Sequence, residues 1–345
     1  MNCKFFLVGF LLMASLPLMA ERVDPETARK AATTFFSNNG TKSAQLTDLT
    51  KEVGLPNLYI FNATQGFVVM AADDCAQPIL GYSLTGKFVT ENMPSHVSGW
   101  LQDYNDEIQY AIENQVKASE STAKLWKDLI KGDQKAGRAN IIVPNFLLTT
   151  WDQDPGYNDL CPYDQNAGEL TVTGCVATAM AQIMKYWEYP NHGEGSHAYT
   201  PSTHPEYGVQ SVNYGSATYN WSNMPLDHSN AEVAKLMYHC GVSVDMDYDI
   251  AINGGSSAAT NSVVNALQTY YNYQPCTVRN KNEEGETAWV NLLKAELDAQ
   301  HPLQYSGRGS AGGHSFVCCG YDDSNRFYFN WGWSGRNDGQ ISQIY

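Results

Sequence analysis

One segment of the sequence predicts a helix that the rest of the chain must enclose. The segment 172–187 reads VTGCVATAMAQIMKYW. Alanines at 177, 179 and 181 keep its sides small, and the larger apolar residues follow helical spacing: Val176, Met180, Ile183, Met184 and Trp187. A helix with so little polar surface is stable only inside a folded unit. The fold is therefore expected to be built around this helix.

A cysteine lies at the start of this helix. Thr173 is a candidate N-cap, and Cys175 then falls in the first turn. Unpaired backbone N–H groups and the positive end of the helix dipole stabilise a thiolate there and lower its pKa. Most cysteines at apolar positions are only small packed side chains. A nucleophilic role for Cys175 therefore requires a base elsewhere in the sequence.

The segment 311–335 supplies a candidate base. It reads AGGHSFVCCGYDDSNRFYFNWGWSG and predicts two strands joined by a DDSN turn. His314 opens the first strand and Asn330 ends the second, so antiparallel pairing brings both residues to one edge of the hairpin. The Asn330 amide oxygen is expected to accept from one ring N–H of His314 and leave the other nitrogen to exchange a proton with Cys175. Trp331 is expected to shield that bond from water.

The length and the local patterns predict two folded units behind an export signal. Residues 1–20 place Lys4 before a short apolar run and end in alanine, as a signal peptide does. Residues 21–116 combine two amphipathic helices with short β-rich runs, which predicts an α+β unit; its first helix is predicted to begin at Pro25, with Asp24 as the N-cap. Residues 117–140 are polar and rich in lysine, which predicts an exposed linker that a protease can cut. Residues 141–345 are aromatic and glycine-rich and form the second unit.

The charge and the cysteine content exclude several classes of function. The chain holds 36 acidic and 21 basic residues, a net charge of −15, which disfavours nucleic acids and anionic membranes as partners. Seven of the eight cysteines remain once the signal is removed, and an odd number in an exported chain leaves at least one free thiol. Their spacing contains no CxxC pair of the kind that binds zinc. No metal or cofactor is predicted.

The motifs resemble those of the streptopain and interpain group of secreted bacterial cysteine proteases. The nucleophile helix of that group is similar to TGCVATAMAQIMKYW, its histidine strand to GGHSFV, and its asparagine and tryptophan turn to NWGWSG. A further family segment is similar to CGVSVDMDY. The propeptide that folds onto these enzymes and blocks them is similar to YIFNATQGFVVMAADDCAQPILGYS. The resemblance spans essentially the whole exported chain.

This resemblance implies a fold, a site and an activity. The fold is α+β, with a papain-like catalytic unit of a helical part plus an antiparallel sheet behind an N-terminal α+β prodomain. Gln153, in TTWDQDPGYN, is the implied oxyanion-hole side chain, and Ser257 and Gly313 line the implied substrate cleft. The implied activity is that of a secreted endopeptidase, made as a zymogen inhibited by its own propeptide and activated by cleavage in the linker. Protein and peptide substrates are the expected partners.

Two other functions fit the same residues. A transglutaminase uses the same thiolate and imidazole but passes the acyl group to an amine, so product analysis with an added amine distinguishes it. A catalytically idle adhesin or inhibitor would retain the fold only for binding. Alkylation of Cys175 by an epoxide inhibitor after linker cleavage would argue against that idle protein.

Overall fold

The computed structural model describes residues 21–41, 45–91, 93, 95–309 and 312–342. The export signal predicted at 1–20 lies outside the described residues. Within that part of the chain, no helix combines the length and the apolar character needed to cross a bilayer.

The N-terminal region forms a layer of helices on an antiparallel sheet. Its first helix begins where the sequence predicts it, because the Asp24 carboxylate accepts from the backbone N–H groups of Glu26 and Thr27, at 3.0 Å each. Phe35 and Phe36 on its inner face are fully buried. The elements are α1 (Pro25–Asn38), β1 (Thr47–Asp48), α2 (Thr50–Val53), β2 (Leu58–Asn62), β3 (Phe67–Ala71), β4 (Ile79–Ser83) and α3 (Ser95–Glu113).

The stretch 117–140 is folded, so the prediction of an exposed linker is wrong for most of it. It contains α4 (Glu120–Lys131), which packs on α1 and buries Trp126 and Leu129. The Asn38 side chain also donates to the carbonyl oxygens of Asp133 and Ala136, at 2.8 and 2.7 Å. The polar composition that suggests a linker belongs to the solvent face of an amphipathic helix.

The C-terminal region has a helical part and a sheet part. The helical part packs around a cluster that includes Trp151, Tyr214 and Met237, and the sheet part contains β5 and β10 to β13. The elements are β5 (Ile141–Val143), β6 (Tyr163–Asp164), β7 (Glu169–Leu170), α5 (Cys175–Trp187), β8 (Ser196–Tyr199), β9 (Gln210–Asn213), α6 (Ala231–Ser243), α7 (Ser262–Tyr271), α8 (Lys281–Glu284), α9 (Glu286–Asp298), β10 (Leu303–Gly309), β11 (Gly312–Asp322), β12 (Arg326–Asn330) and β13 (Gly339–Ser342).

One antiparallel sheet joins the two regions. In the described residues its order is β1-β2-β3-β4-β13-β12-β11-β10, with β5 paired to β11. The junction lies between β4 and β13, where Gly81 pairs with Ile341 and Tyr82 with Gln340. Apolar side chains from both regions share a single buried cluster over this sheet. The α+β class predicted from the sequence is confirmed, but the predicted prodomain and catalytic unit share a core.

The helix α5 lies between the two parts of the C-terminal region, as the sequence predicts. Met180 and Met184 pack into the helical cluster, whereas Ile183 packs against the sheet. Two details of the prediction are wrong. The N-cap is Gly174 rather than Thr173, and Trp187 is 44% exposed because α5 ends there.

Candidate active site

Cys175 is the first residue of α5. The N-cap Gly174 has a φ of 85°, and a Cβ built there would lie 2.6 Å from the Met246 sulfur, so the turn requires glycine. The Cys175 Sγ accepts from the backbone N–H of Ser315 at 3.4 Å. Burial raises the pKa of the thiol above its ordinary value, and the N–H groups of Ser315 and Val176 act in the opposite direction.

The same contact places the candidate nucleophile against the residue that follows the candidate base. Ser315 follows His314 directly in β11, and α5 packs across that strand. The Gln304 side chain adds a second tie, because its Nε2 donates to the Val176 carbonyl at 3.1 Å and to the Ser315 Oγ at 3.0 Å. The two segments that lie far apart in the sequence therefore converge.

The imidazole of His314 is buried and is held by a backbone carbonyl. Its Nε2 lies 2.9 Å from the Trp331 carbonyl oxygen, which can only accept, so Nε2 carries the proton. In the neutral ring Nδ1 then has the lone pair that can take a proton from a thiol. Burial lowers the pKa of His314 to about 4, and the bond to Trp331 acts in the opposite direction. The full chain therefore favours a neutral thiol and a neutral imidazole.

Asn330 does not make the direct bond to His314 that the sequence predicts. Its Oδ1 accepts from the backbone N–H of Gly332 at 3.0 Å and from the Gln182 Nε2 at 3.1 Å. The strand register explains the difference, because Asn330 pairs with Val317. His314 comes three residues before Val317 in β11, which places it about 10 Å from the Val317–Asn330 pair at the usual rise of a strand. The chain reaches His314 only after it leaves β12, at Trp331.

Trp331 is fixed at three points. Its backbone N–H donates to the Asp338 Oδ1 at 2.9 Å, its indole N–H donates to the Asn337 carbonyl at 3.0 Å, and its carbonyl accepts from His314. Its ring packs against Phe316 with ring centroids 4.6 Å apart. The sequence predicts that the Trp331 side chain shields the site from water. In the structure the Trp331 backbone carbonyl also accepts the hydrogen bond from His314.

Gln153 lies beside the start of α5 although 22 residues separate it from Cys175 in the sequence. Its carbonyl accepts from the Thr173 N–H at 3.2 Å, and its own N–H donates to the Asp152 Oδ1 at 2.8 Å. The other carboxylate oxygen of Asp152 accepts from the Ser334 hydroxyl at 2.6 Å. Asp152 therefore ties the Gln153 segment to the turn that follows Trp331.

The two remaining candidates, Ser257 and Gly313, are both exposed. Ser257 is exposed and bridges Asp247 through backbone hydrogen bonds of 2.9 and 3.0 Å. Its neighbour Ser256 donates to the Val172 carbonyl at 2.6 Å, which holds this loop against the segment before Cys175. Gly313 is exposed, precedes His314 and pairs with Arg308 of β10.

Sequence reasoning missed three buried polar residues around this site, which are Asp152, Gln182 and Asp338. Each bonds a residue distant in the chain or across a turn, and no local pattern reveals such a partner. The described residues contain no group of three or more His, Cys, Asp and Glu side chains that could hold a metal ion. All seven cysteines among them are free thiols.

Comparison with known proteins gives consistent matches over both regions. Residues 151–340 match the model of the peptidase C10 family, and residues 20–108 match that of the Spi protease inhibitor. Streptopain of Streptococcus pyogenes is 32% identical over 360 residues, which cover 96% of this chain and 87% of streptopain. The thiol protease/hemagglutinin PrtT of Porphyromonas gingivalis is 30% identical, over 98% of this chain and 40% of that protein.

Two solved structures show the same likeness. A cysteine-to-alanine mutant fragment of Prevotella intermedia prointerpain A has a TM-score of 0.71 and 32% identity, and covers 88% of this chain and 92% of that chain. Active interpain A of the same organism has a TM-score of 0.54 and 36% identity, and covers 58% of this chain and 85% of that one.

Proposed function

Since the chain belongs to the peptidase C10 family and is a cysteine peptidase, we propose that it is an exported endopeptidase made as a zymogen. Cys175 is the nucleophile, His314 the base, Gln153 the oxyanion-hole side chain, and Ser257 and Gly313 line the substrate cleft. Asn330 and Trp331 orient the base. The observation that carries the proposal is the pair of contacts on adjacent residues, from Ser315 to the Cys175 sulfur and from His314 to the Trp331 carbonyl.

The reaction follows from this arrangement. Nδ1 of His314 takes the thiol proton as the Cys175 sulfur attacks the scissile carbonyl carbon, and a tetrahedral oxyanion forms. The Gln153 side-chain amide and the Cys175 backbone N–H donate to that oxygen. The C–N bond then breaks, and His314 gives its proton to the leaving amine. In the second half, His314 takes a proton from water, the hydroxide attacks the thioester, and the acid product leaves as the proton returns to the thiolate.

The N-terminal region supports the proposal of an inhibited precursor. It extends the sheet of the C-terminal region through β4 and β13, and α3 packs on β10 and β11. Trp100 of α3 lies against Trp331, with ring centroids 6.4 Å apart. Burial of the thiol and the imidazole disfavours the thiolate–imidazolium pair that a cysteine peptidase needs. Cleavage after α4, in the exposed stretch 132–135, begins the release of this region.

The test compares the purified chain before and after limited proteolysis. The processed chain is expected to digest casein and to be labelled at Cys175 by an epoxide inhibitor, with the site read by mass spectrometry. Cys175→Ala is expected to abolish hydrolysis. Cys276→Ala is the matched control, because Cys276 is an exposed free thiol outside the proposed site. Casein digestion by the purified Cys175→Ala chain would refute the proposal, and transfer to an added amine in place of hydrolysis would favour a transglutaminase.

A further inference from the structure

The peptide group between Trp331 and Gly332 is bonded at both ends. Its carbonyl oxygen accepts from His314 at 2.9 Å, and its N–H donates to the Asn330 Oδ1 at 3.0 Å. Two hydrogen bonds that share one peptide group polarise each other, so the bond to Asn330 makes the carbonyl a better acceptor. Asn330 thus acts on His314 through this peptide.

The Asn330 amide has one allowed orientation. The Gly332 N–H can only donate, so the atom that faces it is Oδ1, and the Thr149 carbonyl can only accept, so the atom that faces it, at 2.7 Å, is Nδ2. The Gln182 side chain must then present its Nε2 to the Asn330 Oδ1, at 3.1 Å. The Gln182 Oε1 in turn accepts from the Thr149 hydroxyl at 2.9 Å. Two backbone groups therefore fix every donor and acceptor of this network.

The network is closed to solvent. Gln182 has no exposed surface, and Asn330 and Thr149 are 1% and 2% exposed. A buried polar group that loses its partner cannot replace it with water, so each member depends on the others. Gly332, at a φ of 72°, packs directly on α5, because a Cβ there would lie 3.0 Å from the Thr178 side chain. The turn thus has little room to adopt another position.

We propose that Gln182 is a positioning residue that holds the imidazole of His314, through Asn330 and the Trp331–Gly332 peptide, for proton exchange with Cys175. Gln182 lies seven residues after Cys175 on α5, which is two turns or about 10 Å along the axis. One rigid helix therefore carries the nucleophile and also secures the group that orients its base. This inference rests on the proposed function of Cys175 and His314.

Two substitutions test the role in the processed chain. Gln182→Leu keeps the approximate volume but removes the donor to Asn330, and kcat is expected to fall about 10- to 100-fold with KM within twofold, because the ring is no longer held in line. Gln182→Glu can donate only while it is protonated, and the other members of the network do not titrate. The ratio of its kcat to that of the parent is therefore expected to fall as pH rises from about 5 to 8.

A control on the same helix separates positioning from general destabilisation. Lys185 is buried and bonds the Trp221 carbonyl at 2.8 Å and Glu188 at 2.7 Å, outside the network. Lys185→Met is expected to lower the melting temperature but to leave kcat within twofold of the parent. Equal losses of kcat in Lys185→Met and Gln182→Leu, or a Gln182→Glu ratio that does not change with pH, would overturn the inference.

A spectroscopic readout does not depend on activity. The proton–nitrogen NMR spectrum of the isotope-labelled full chain, carrying Cys175→Ala, reports which ring nitrogen of His314 bears the proton. We expect Nε2 in the parent and a mixture of tautomers in Gln182→Leu, or in Gln182→Glu above neutral pH if the leucine variant does not fold. An unchanged tautomer in the folded variant contradicts the positioning role. If the proposed peptidase function of Cys175 is wrong, the Cys175→Ala chain would instead still hydrolyse casein.

Discussion

The buried carboxyl of Asp338 predicts a specific dependence of stability on pH. Asp338 is 5% exposed and accepts from the Trp331 N–H at 2.9 Å. Burial raises the pKa of this carboxyl from 3.8 to about 7, and the bond from Trp331 acts in the opposite direction. The titratable side chains that face it are Tyr328 on β12 and Cys319 on β11, since its charge helps to raise the pKa of both.

The direction and the size of this pH dependence follow from the difference in proton binding between the folded and the unfolded chain. Between pH 4 and pH 7 the folded chain keeps a proton on Asp338 that the unfolded chain releases. Stability falls wherever the folded state binds more protons, so the free energy of unfolding decreases as pH rises through this window. The pKa difference of about 3 corresponds to about 4 kcal/mol at pH 8, at about 1.4 kcal/mol for each pKa unit.

Asp338→Asn removes this charge and keeps an oxygen that accepts from Trp331. Near pH 4 the variant and the parent are both neutral at this position, and their stabilities are expected to agree within about 1 kcal/mol. At pH 8 the variant is expected to be more stable by up to about 4 kcal/mol. The assay is urea unfolding followed by tryptophan fluorescence at constant ionic strength, in a Cys175→Ala background that prevents self-digestion.

A control variant shows how much of the effect comes from removing one negative charge anywhere in the protein. Asp323 is exposed in the turn between β11 and β12, so Asp323→Asn makes the same chemical change outside the core. An equal stability difference between Asp338→Asn and the parent at pH 4 and pH 8 would contradict the raised pKa of Asp338. An asparagine variant that becomes the less stable protein as pH rises would contradict it too.

Two further predictions concern catalysis and inhibition. Gln153→Ala in the processed chain is expected to lower kcat by about 100- to 1,000-fold with little change in KM, because this is the usual loss for one oxyanion donor. A loss of less than about threefold in a peptide-hydrolysis assay would exclude Gln153 from the mechanism. Gly81→Val places a Cβ 3.1 Å from Trp100 and 3.3 Å from the Gln340 carbonyl, which crowds the β4–β13 junction and the Trp100 ring and is expected to loosen both. The uncut chain should then label with an epoxide at Cys175 about tenfold faster than the parent, and faster than the exposed control Lys51→Ala.

Sequence reasoning succeeded where the signal is local. The cap at Asp24 and the hairpin of β11 and β12 are read from residues within a few positions of one another, and the structure confirms both. The linker prediction for 117–140 is wrong because the composition of this stretch describes only the exposed side of α4, whereas Trp126 and Leu129 face the core. Local composition cannot tell an exposed linker from a helix with one buried face.

Sequence reasoning failed where the partner is distant. The pairing of Gly81 with Ile341 joins positions far apart in the chain, and the sequence of neither strand indicates which strand is its partner. The same limit applies to the site. The pattern placed Asn330 at the correct end of β12, yet the strand register decides whether its side chain or the next carbonyl reaches His314. Register depends on the whole sheet, which a two-strand pattern does not contain.

The turn 331–338 connects the inhibitory region with the proposed base. The Asn337 side chain accepts from the Val89 N–H at 2.7 Å, on the N-terminal side, and the Asn337 carbonyl holds the indole of Trp331. The groups that fix the carbonyl of Trp331, namely Asp338 and Asn330, belong to the C-terminal region. Removal of the N-terminal region therefore takes away the contacts that Val89 and Trp100 make to this turn. It leaves the bonds that orient His314, so the processed enzyme can keep its base in place.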